Sequence, residues 1–466
     1  MNPIDLTIIA AYLLTMLGIG VWFSSRQQSV DEFFVGDRKM GSGHVGLSVV
    51  ATDVGGGFSI GLGGLGFAMG IAGSWLLFTG LVGAWVSAVL LIPRVKRLGD
   101  RHGWLTYPDF LGHRFDGRVK LVAAGVSCIG YAGFVGAQIL AGAKLSSAAF
   151  EVDLTTAVMV MAVVVLVYTS LGGLQAVIYT DTIQWTILLV GLALVALPCG
   201  WVEVGGWQGL EAALPPGHLD ITNISLIQAL TWATTIIPIW FVGMTLYQRI
   251  YASRDVRSAK RAWYLAGLLE YPVMAFCGTL LGMMARVVFP EAEAEMGLPL
   301  LIRHVLPVGV VGIVLAAYFS AIMSTADSCL LASVGNLIND LYQGCVNPDA
   351  SQRRVLWLSR IATMVVGAAS ISVALLLPKV LDAVLLAYAF MVSGLFAPTI
   401  VGLLWPRATS KAALASMLTG GGCAIILELF PAIDPVGEPI LVALPLSLVV
   451  MVLGSLLTTA PGPPKA

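Results

Sequence analysis

The chain alternates long apolar runs with short polar segments, and the lengths of those runs predict its elements. A helix needs about 20 apolar residues to cross the hydrocarbon core of a bilayer. Runs between charged or Pro- and Gly-rich breaks predict thirteen spans, near residues 5–24, 44–72, 74–93, 120–149, 154–171, 174–200, 223–247, 262–289, 299–338, 355–377, 381–405, 410–430 and 437–458. The pattern therefore predicts an all-α polytopic membrane protein embedded in a lipid bilayer.

Composition agrees with this prediction. Of the 466 residues, 58% are hydrophobic and 11% are charged, whereas a soluble domain carries roughly 25% charged residues. The net charge of −1 provides no basic field for a nucleic acid. The scattered cysteines and histidines form no metal-ligand spacing. We therefore expect no nucleic-acid partner, no cofactor and no catalytic residue. Nothing in the sequence specifies an oligomeric state.

The distribution of lysine and arginine predicts the orientation in the cell membrane. With the N-terminus outside and the C-terminus in the cytoplasm, Arg286, Arg303 and Lys379 fall on the outer side and Lys144 within a span. The rest of the 25 basic residues, Arg249 among them, then fall in cytoplasmic segments. An excess of basic residues in cytoplasmic loops is the usual bias of membrane proteins.

An acid interrupts the second span next to three glycines. The run Ala51-Thr52-Asp53-Val54 is followed by Gly55, Gly56 and Gly57. Unwound backbone at membrane depth survives where it lines a cavity or is buried in protein. Such breaks offer carbonyl groups to cations and N–H groups to anions. Close helix packing through small residues explains the glycines but leaves Asp53 unexplained, so we favour a functional break.

Further ionisable groups lie within the predicted spans, where each costs about 2.5–3.5 kcal/mol on insertion scales. In the ninth span, Ser324, Asp327 and Ser328 share a helix face, beside Thr325. Hard oxygen donors of this kind suit a monovalent cation such as sodium. In the sixth span, Asp181 and Gln184 share another face. Glu270 in the eighth span has no obvious sequence partner, and a pathway or substrate role and a structural hydrogen bond stay open for it.

Three motifs resemble the sodium/solute symporter family of sodium–proline, sodium–glucose and sodium–pantothenate carriers. They are A-T-D-V-G-G-G at 51–57, G-G-x-x-x-V-x-x-T-D-x-x-Q at 172–184 and M-S-T-A-D-S at 323–328. Shorter similarities are Gln248-Arg249, Asp340-Leu341-Tyr342, and the stretches 394–398 and 404–407. The resemblance covers essentially the whole chain, in the same order.

The resemblance implies a five-plus-five inverted-repeat transporter core with discontinuous helices. Its expected parts are a leading helix and cytoplasmic loop (1–43), a first repeat (44–200), an extracellular loop (201–222), a second repeat (223–408) and two trailing helices with a short tail (409–466). Substrate and ion then meet near the bilayer midplane, where the repeats face each other.

The resemblance also implies site residues. The family's main sodium site falls on the carbonyl groups of Ala51, Val54 and Ala321 and on the hydroxyl groups of Ser324 and Thr325. A second ion or coupling site, holding sodium or a proton, falls on four further positions, which are Asp53, Asp181, Asp327 and Ser328. Sodium is thus the expected coupling ion and the expected metal.

The expected substrate pocket contains Asp53, the three glycines Gly55, Gly56 and Gly57, and an aromatic wall of Phe58, Trp240 and Tyr388. Sugar carriers of the family place a Gln where this chain has Phe58, and hydroxyl groups would stay unpaired in an apolar pocket. Exposed glycine N–H groups favour a carboxylate. We therefore expect an amino acid or another small carboxylate.

These observations predict a secondary active transporter that couples sodium entry to uptake of a small organic solute, and not an enzyme. One alternative is a proton-coupled symporter of the same fold that uses Asp53, Asp181 or Asp327. A second alternative is a sensor built on the transporter fold, which the short C-terminal tail disfavours because sensors usually append a signalling domain.

Overall fold

The chain folds into a bundle of helices. The structure, a computed structural model, describes residues 1–24, 34–171 and 174–459. The paired glycines 172 and 173 of the family-like motif lie outside the described residues, as do the cytoplasmic-loop residues 25–33. No β-strand occurs in the described ranges.

The helices of the first half are α1 (Pro3–Ser24), α2 (Ser42–Asp53), α3 (Gly55–Met69), α4 (Trp75–Leu90), α5 (Ile92–His102), α6 (Tyr107–Arg114), α7 (Gly117–Phe150), α8 (Leu154–Leu171), α9 (Leu174–Leu189), α10 (Leu197–Glu203) and α11 (Gly206–Ala213). The helices of the second half are α12 (Leu226–Val242), α13 (Met244–Ala252), α14 (Val256–Leu269), α15 (Phe276–Val288), α16 (Ala294–Val305), α17 (Val310–Gly335), α18 (Gln352–Leu376), α19 (Val380–Leu404), α20 (Ser410–Leu429) and α21 (Pro439–Leu457).

In the part of the chain that the structure describes, three π-helical segments continue these helices. They are Val190–Ala196 between α9 and α10, Glu270–Ala275 between α14 and α15, and Asn336–Val346 after α17. Such wide turns loosen the regular i→i−4 hydrogen bonding and occur often at functional sites.

The long helices are apolar enough to lie in a membrane. Among the described residues, nine helices are long and apolar enough to cross, or ten if the bent pair α12–α13 forms one span. The apolar parts of α1 and α8 are shorter. Large apolar side chains such as Leu194, Leu376 and Leu418 are exposed on the outside of the bundle, which is the surface that lipid covers. The predicted all-α polytopic fold is confirmed, whereas the count of thirteen spans stays a prediction.

The second predicted span is discontinuous, as its sequence indicates. Helix α2 ends at Asp53 and α3 begins at Gly55, which has a positive φ of 39°. This φ lies in a region that L-residues with a side chain rarely adopt. The seventh span is also broken, because α12 and α13 meet at Gly243 with a bend of 42°. Pro238 and Gly243 carry the sequence signal for this second break, which the apolar pattern alone does not predict.

The helix at the ninth predicted span begins later in the structure than the apolar run predicts. The prediction of 299–338 joins α16 to α17, but a turn at Pro307–Gly309 separates them, and Gly309 has a φ of +88°. Helix α17 and the π-helical segment after it form the most enclosed of the candidate spans, and 89% of their most apolar 18-residue stretch is buried inside the bundle. Helix α17 contacts α7, α9, α1, α3 and α2 and forms the centre of the bundle.

Helices α3 and α15 pack backbone to backbone through glycine. A Cβ added to Gly66 would collide with the backbone of Thr279, and one added to Gly282 would collide with the backbone of Gly63. Small residues at helix interfaces allow this close approach in membranes. Helix α3 also packs on α16, whereas α2 packs on α14 and α9. The two halves of the broken helix therefore have different neighbours.

Substituting Gly282 with alanine is expected to destabilise the protein by about 1–3 kcal/mol, because the added methyl group overpacks this interface. The measurement is the thermal midpoint of the purified protein in detergent. Gly125→Ala is the matched control, since a Cβ at Gly125 has nothing within 4 Å. Equal midpoints for the two variants would contradict the close packing of α3 on α15.

A buried ion-pair cluster joins several elements at one end of the bundle. The Lys144 ammonium group on α7 is 1% exposed and lies 2.7 Å from the Glu295 carboxylate, and it also pairs with Glu293. The Glu295 carboxylate accepts hydrogen bonds from the N–H groups of Val380 and Leu381 at 2.9 and 3.0 Å. It thereby caps the start of α19 and links α7, α16 and α19.

Candidate functional site

The break between α2 and α3 meets α17 through a cluster of oxygen atoms. The Thr325 hydroxyl lies 2.9 Å from the carbonyl oxygen of Ala51 and 3.0 Å from that of Ala321. The Ser324 hydroxyl lies 3.3 Å from the same Ala321 oxygen. Four of the five predicted sodium ligands thus come together, across two helices far apart in sequence.

Glycine at position 55 permits this approach. A Cβ at Gly55 would collide with the Thr325 hydroxyl, so a larger residue would push α17 away from the break. Val54, the fifth predicted ligand, is the residue at the break itself. Carbonyl groups at a helix break coordinate Na+ in transporters with discontinuous helices, and the hydroxyl groups of Ser324 and Thr325 and the carbonyl group of Ala321 add further hard oxygen donors here. The residues present therefore fit a sodium ion.

Arg249 contacts two of the four residues of the predicted second site, Asp181 and Ser328. Its guanidinium group is fully buried and donates to Ser328 Oγ at 2.8 Å, to Ser48 Oγ at 3.0 Å and to the Thr245 carbonyl at 3.2 Å. It also forms an ion pair of 3.4 Å with the Asp181 carboxylate, which is fully buried as well. Asp181 accepts a further hydrogen bond from Ser48. This network joins α13 to α2, α9 and α17.

Charge counting does not reveal that Arg249 is enclosed by protein. The lysine and arginine distribution assigns it to a cytoplasmic segment, which stays a prediction, and the structure holds its side chain inside the bundle with 0% exposure. The charge of Asp181 is thus already matched by a cation supplied by the protein. The pair Gln248-Arg249 is part of the family resemblance. The sequence signal for the role of Arg249 is the acid Asp181 in an apolar span, which needs a cation as its partner.

Asp327 contacts a different helix from its predicted partners. The Thr169 hydroxyl on α8 donates a hydrogen bond to the Asp327 carboxylate. Ser328 contacts Arg249 instead, and Ser324 interacts with Asp181. The face shared by Ser324, Asp327 and Ser328 is therefore divided between two neighbouring groups.

Asp53 lies beside an aromatic side chain that the sequence also assigns to the substrate pocket. The Tyr388 hydroxyl on α19 donates to Asp53 Oδ1 at 3.4 Å. The Phe58 ring lies 6.1 Å from the Tyr388 ring, and the Phe134 ring stacks on Tyr388 at 5.0 Å. Asp53, Phe58 and Tyr388 thus come together. Phe134 of α7 belongs to the same aromatic group, and the sequence analysis does not predict it.

One glycine N–H in the break is already engaged. Gly57 N donates to Gln138 Oε1 at 3.2 Å, and a Cβ at Gly57 would collide with that amide. Gln138 is 1% exposed and lies on α7. The Gly57 N–H is therefore not available to a solute carboxylate in this arrangement, which differs from the expectation for all three glycines.

Trp240 and Glu270 both lie against helix α4, and we call these two side chains the α4 wall. Trp240 is fully buried on α12, lies against Gly83 of α4, and contacts the Trp263 ring at 6.2 Å. Glu270 begins the π-helical segment after α14 and lies against Gly80 of α4. Glu270 is also close enough to Asp53 for the two carboxyl groups to interact electrostatically.

A helical bundle with broken helices around oxygen-rich and aromatic side chains is the architecture expected of a multi-pass secondary transporter. The sequence profile of the sodium:solute symporter family matches residues 33–420. The chain therefore belongs to the sodium:solute symporter family, and the resemblance drawn from its motifs is confirmed.

Individual relatives agree with this membership. A sodium/proline symporter of Haemophilus influenzae is 28% identical over 88% of this chain and 85% of its own length. A sodium/pantothenate symporter of Escherichia coli is 28% identical, with 96% and 95% covered. Among solved structures, a Na+-coupled sialic acid symporter in a substrate-bound outward-open state matches with a TM-score of 0.82 at 19% identity, covering 98% of this chain and 99% of that one. That likeness supports the transporter fold.

Proposed function

We propose that the protein couples the entry of sodium to the uptake of a small organic solute by alternating access. The observation that carries the proposal is the contact of Thr325 with Ala51 across the helix break, which gathers carbonyl and hydroxyl oxygen atoms in one cluster. A sodium ion held by Ala51, Val54, Ala321, Ser324 and Thr325 would bridge α2 and α17. Its presence would therefore favour one arrangement of these helices over others.

The proposed solute is an amino acid or another small carboxylate, as the sequence predicts. We propose that its pocket forms beside Asp53, Phe58 and Tyr388, which lie close together. The aromatic rings there offer few partners to the hydroxyl groups of a sugar. Named relatives carry proline and pantothenate, which both contain a carboxylate, although other relatives are glucose cotransporters.

Asp181, Asp327 and Ser328 are proposed to take part in coupling. Because Arg249 neutralises Asp181, a second cation at Asp181 would have to displace this guanidinium group. Asp327 accepts its hydrogen bond from the neutral hydroxyl group of Thr169. Asp53 likewise accepts from a neutral hydroxyl group, that of Tyr388, so Asp327 and Asp53 are better placed than Asp181 to carry a proton if coupling uses one.

Replacing Ser324 and Thr325 together with alanine is expected to abolish the stabilisation of the protein by sodium, because two of the five ligands are lost. The measurement is the thermal midpoint of purified protein in sodium and in potassium chloride at constant pH, with no solute present. Cys345→Ala is the control, since Cys345 is exposed at the end of a π-helical segment.

Two outcomes would contradict the sodium assignment. One is an equal response to sodium in the double variant and in the control. The other is solute accumulation in proteoliposomes that a proton gradient drives equally well without sodium, which would establish the proton-coupled alternative.

A further inference from the structure

Glu270 is a buried acid that the proposed sodium site does not use. It is 0% exposed, and within the described part of the chain neither of its carboxyl oxygens has a hydrogen-bond partner. Buried polar groups are nearly always hydrogen-bonded, because an unpaired one costs several kcal/mol. The side chain therefore has capacity for a partner that comes from outside the chain.

Glu270 lies against a glycine of helix α4. A Cβ at Gly80 would lie 2.6 Å from Glu270 Oε2, so only glycine leaves the carboxylate its place against α4. The Trp240 ring packs in the same way against Gly83, three residues after Gly80 on α4. Residues three apart lie on one helix face. The carboxylate and the indole ring are thus neighbours on α4, and the Trp240 Nε1 also has no partner among the described residues.

The charge of this wall selects a cation. A carboxylate whose two oxygens lack a partner among the described residues attracts a cationic group and repels an anionic one. A carboxylate beside a tryptophan ring attracts an ammonium group twice, by a charge-assisted hydrogen bond and by a cation–π contact. A bound proton would remove the charge of Glu270, yet the resulting hydroxyl and carbonyl would still need partners.

We propose that Glu270 binds the ammonium group of the transported solute, with Trp240 beside it. This inference rests on the proposed function and narrows its solute class to compounds with a cationic nitrogen. An amino acid fits both this wall and the expected preference for a carboxylate. Pantothenate and glucose, the solutes of two relatives, lack a cationic nitrogen and do not fit.

Paired probes test the proposal on the purified full-length protein in sodium chloride. Each pair differs in the ammonium group alone, as in proline with cyclopentanecarboxylate and leucine with 4-methylpentanoate, and pantothenate and glucose are added as probes without a cation. We expect an ammonium-bearing probe to raise the thermal midpoint. Its partner should bind at least about tenfold more weakly, because a hydrogen bond to a charged group contributes about 1.5–3 kcal/mol.

The variant Glu270→Gln is expected to weaken the ammonium-bearing probe at least about tenfold while sodium still stabilises the protein without solute. Glu270→Asp should keep the preference for the ammonium member of each pair. Glu211→Gln is the matched control, because Glu211 is exposed on α11. Retained stabilisation by sodium shows that a weak response of Glu270→Gln does not arise from misfolding.

The proposal is overturned if Glu270→Gln keeps the preference for ammonium, if the members of a pair bind equally, or if no ammonium-bearing probe stabilises the protein. The failure of the proposed function has a different result. In that case sodium neither stabilises the wild-type protein nor strengthens any probe, although the ammonium preference and its loss in Glu270→Gln persist.

Discussion

Replacing Arg249 with methionine is expected to destabilise the folded protein by about 3–5 kcal/mol, the usual cost of removing one partner from a buried ion pair. The variant leaves the Asp181 carboxylate buried without its cation, and it removes the donors to Ser48, Ser328 and the Thr245 carbonyl. The measurement is the thermal midpoint of the purified protein, which should fall by several degrees.

Arg257→Met is the matched control for this experiment, because Arg257 is exposed one helix later in the chain. A second comparison adds Asp181→Asn to Arg249→Met. Since the remaining amide carries no charge, the double variant should be more stable than the sum of the two single losses predicts. Equal midpoints for Arg249→Met and Arg257→Met would show that the buried pair does not stabilise the bundle.

Lys144→Met is expected to have an effect of similar size, about 3–5 kcal/mol, at the Glu295 end of the bundle. Lys144 is 1% exposed, and its loss leaves the nearly buried Glu295 carboxylate with the N–H groups of Val380 and Leu381 as its remaining donors. The same thermal measurement applies, together with limited proteolysis at the start of α19, where the loss of order should appear first.

Lys379→Met separates this effect from the general loss of a positive charge. Lys379 is 65% exposed and lies 3.7 Å from Asp382, and exposed ion pairs of this kind contribute about 0–1 kcal/mol. A Lys144→Met protein as stable as Lys379→Met would exclude the buried cluster as a stabilising contact.

The architecture can be predicted from sequence to the extent that it depends on apolar length and on local breakers. The run of glycines after Asp53 predicts the end of α2, because glycine tolerates the positive φ found at Gly55. The end of α12 escapes the apolar pattern, since Pro238 and Gly243 lie in an uninterrupted apolar run. The predicted start of α17 is wrong because the apolar run continues through the turn that precedes Val310, so the apolar pattern does not indicate that turn.

The site residues can be located in sequence, but their pairing cannot. Spacing on one helix places Ser324, Asp327 and Ser328 together, whereas the fold gives them partners on three other helices. Such partners depend on which helices meet in space, and one sequence contains no direct record of that. The burial of Arg249 follows from the same contacts, because its short helix α13 packs on α2 and α17 after the bend from α12.

The broken helix α2–α3 packs against a second interrupted helical segment, α14–α15. Helix α2 packs on α14 and α3 packs on α15, and the π-helical segment beginning at Glu270 separates α14 from α15 as the break at Val54 separates α2 from α3. The segments α2–α3 and α14–α15 are thus two adjacent helical segments, each with one interruption. Because the glycine contacts between α3 and α15 lie on one side of both interruptions, we expect these two helices to move as a pair in any rearrangement, with the oxygen cluster around Thr325 and the Glu270 carboxylate next to the interruptions.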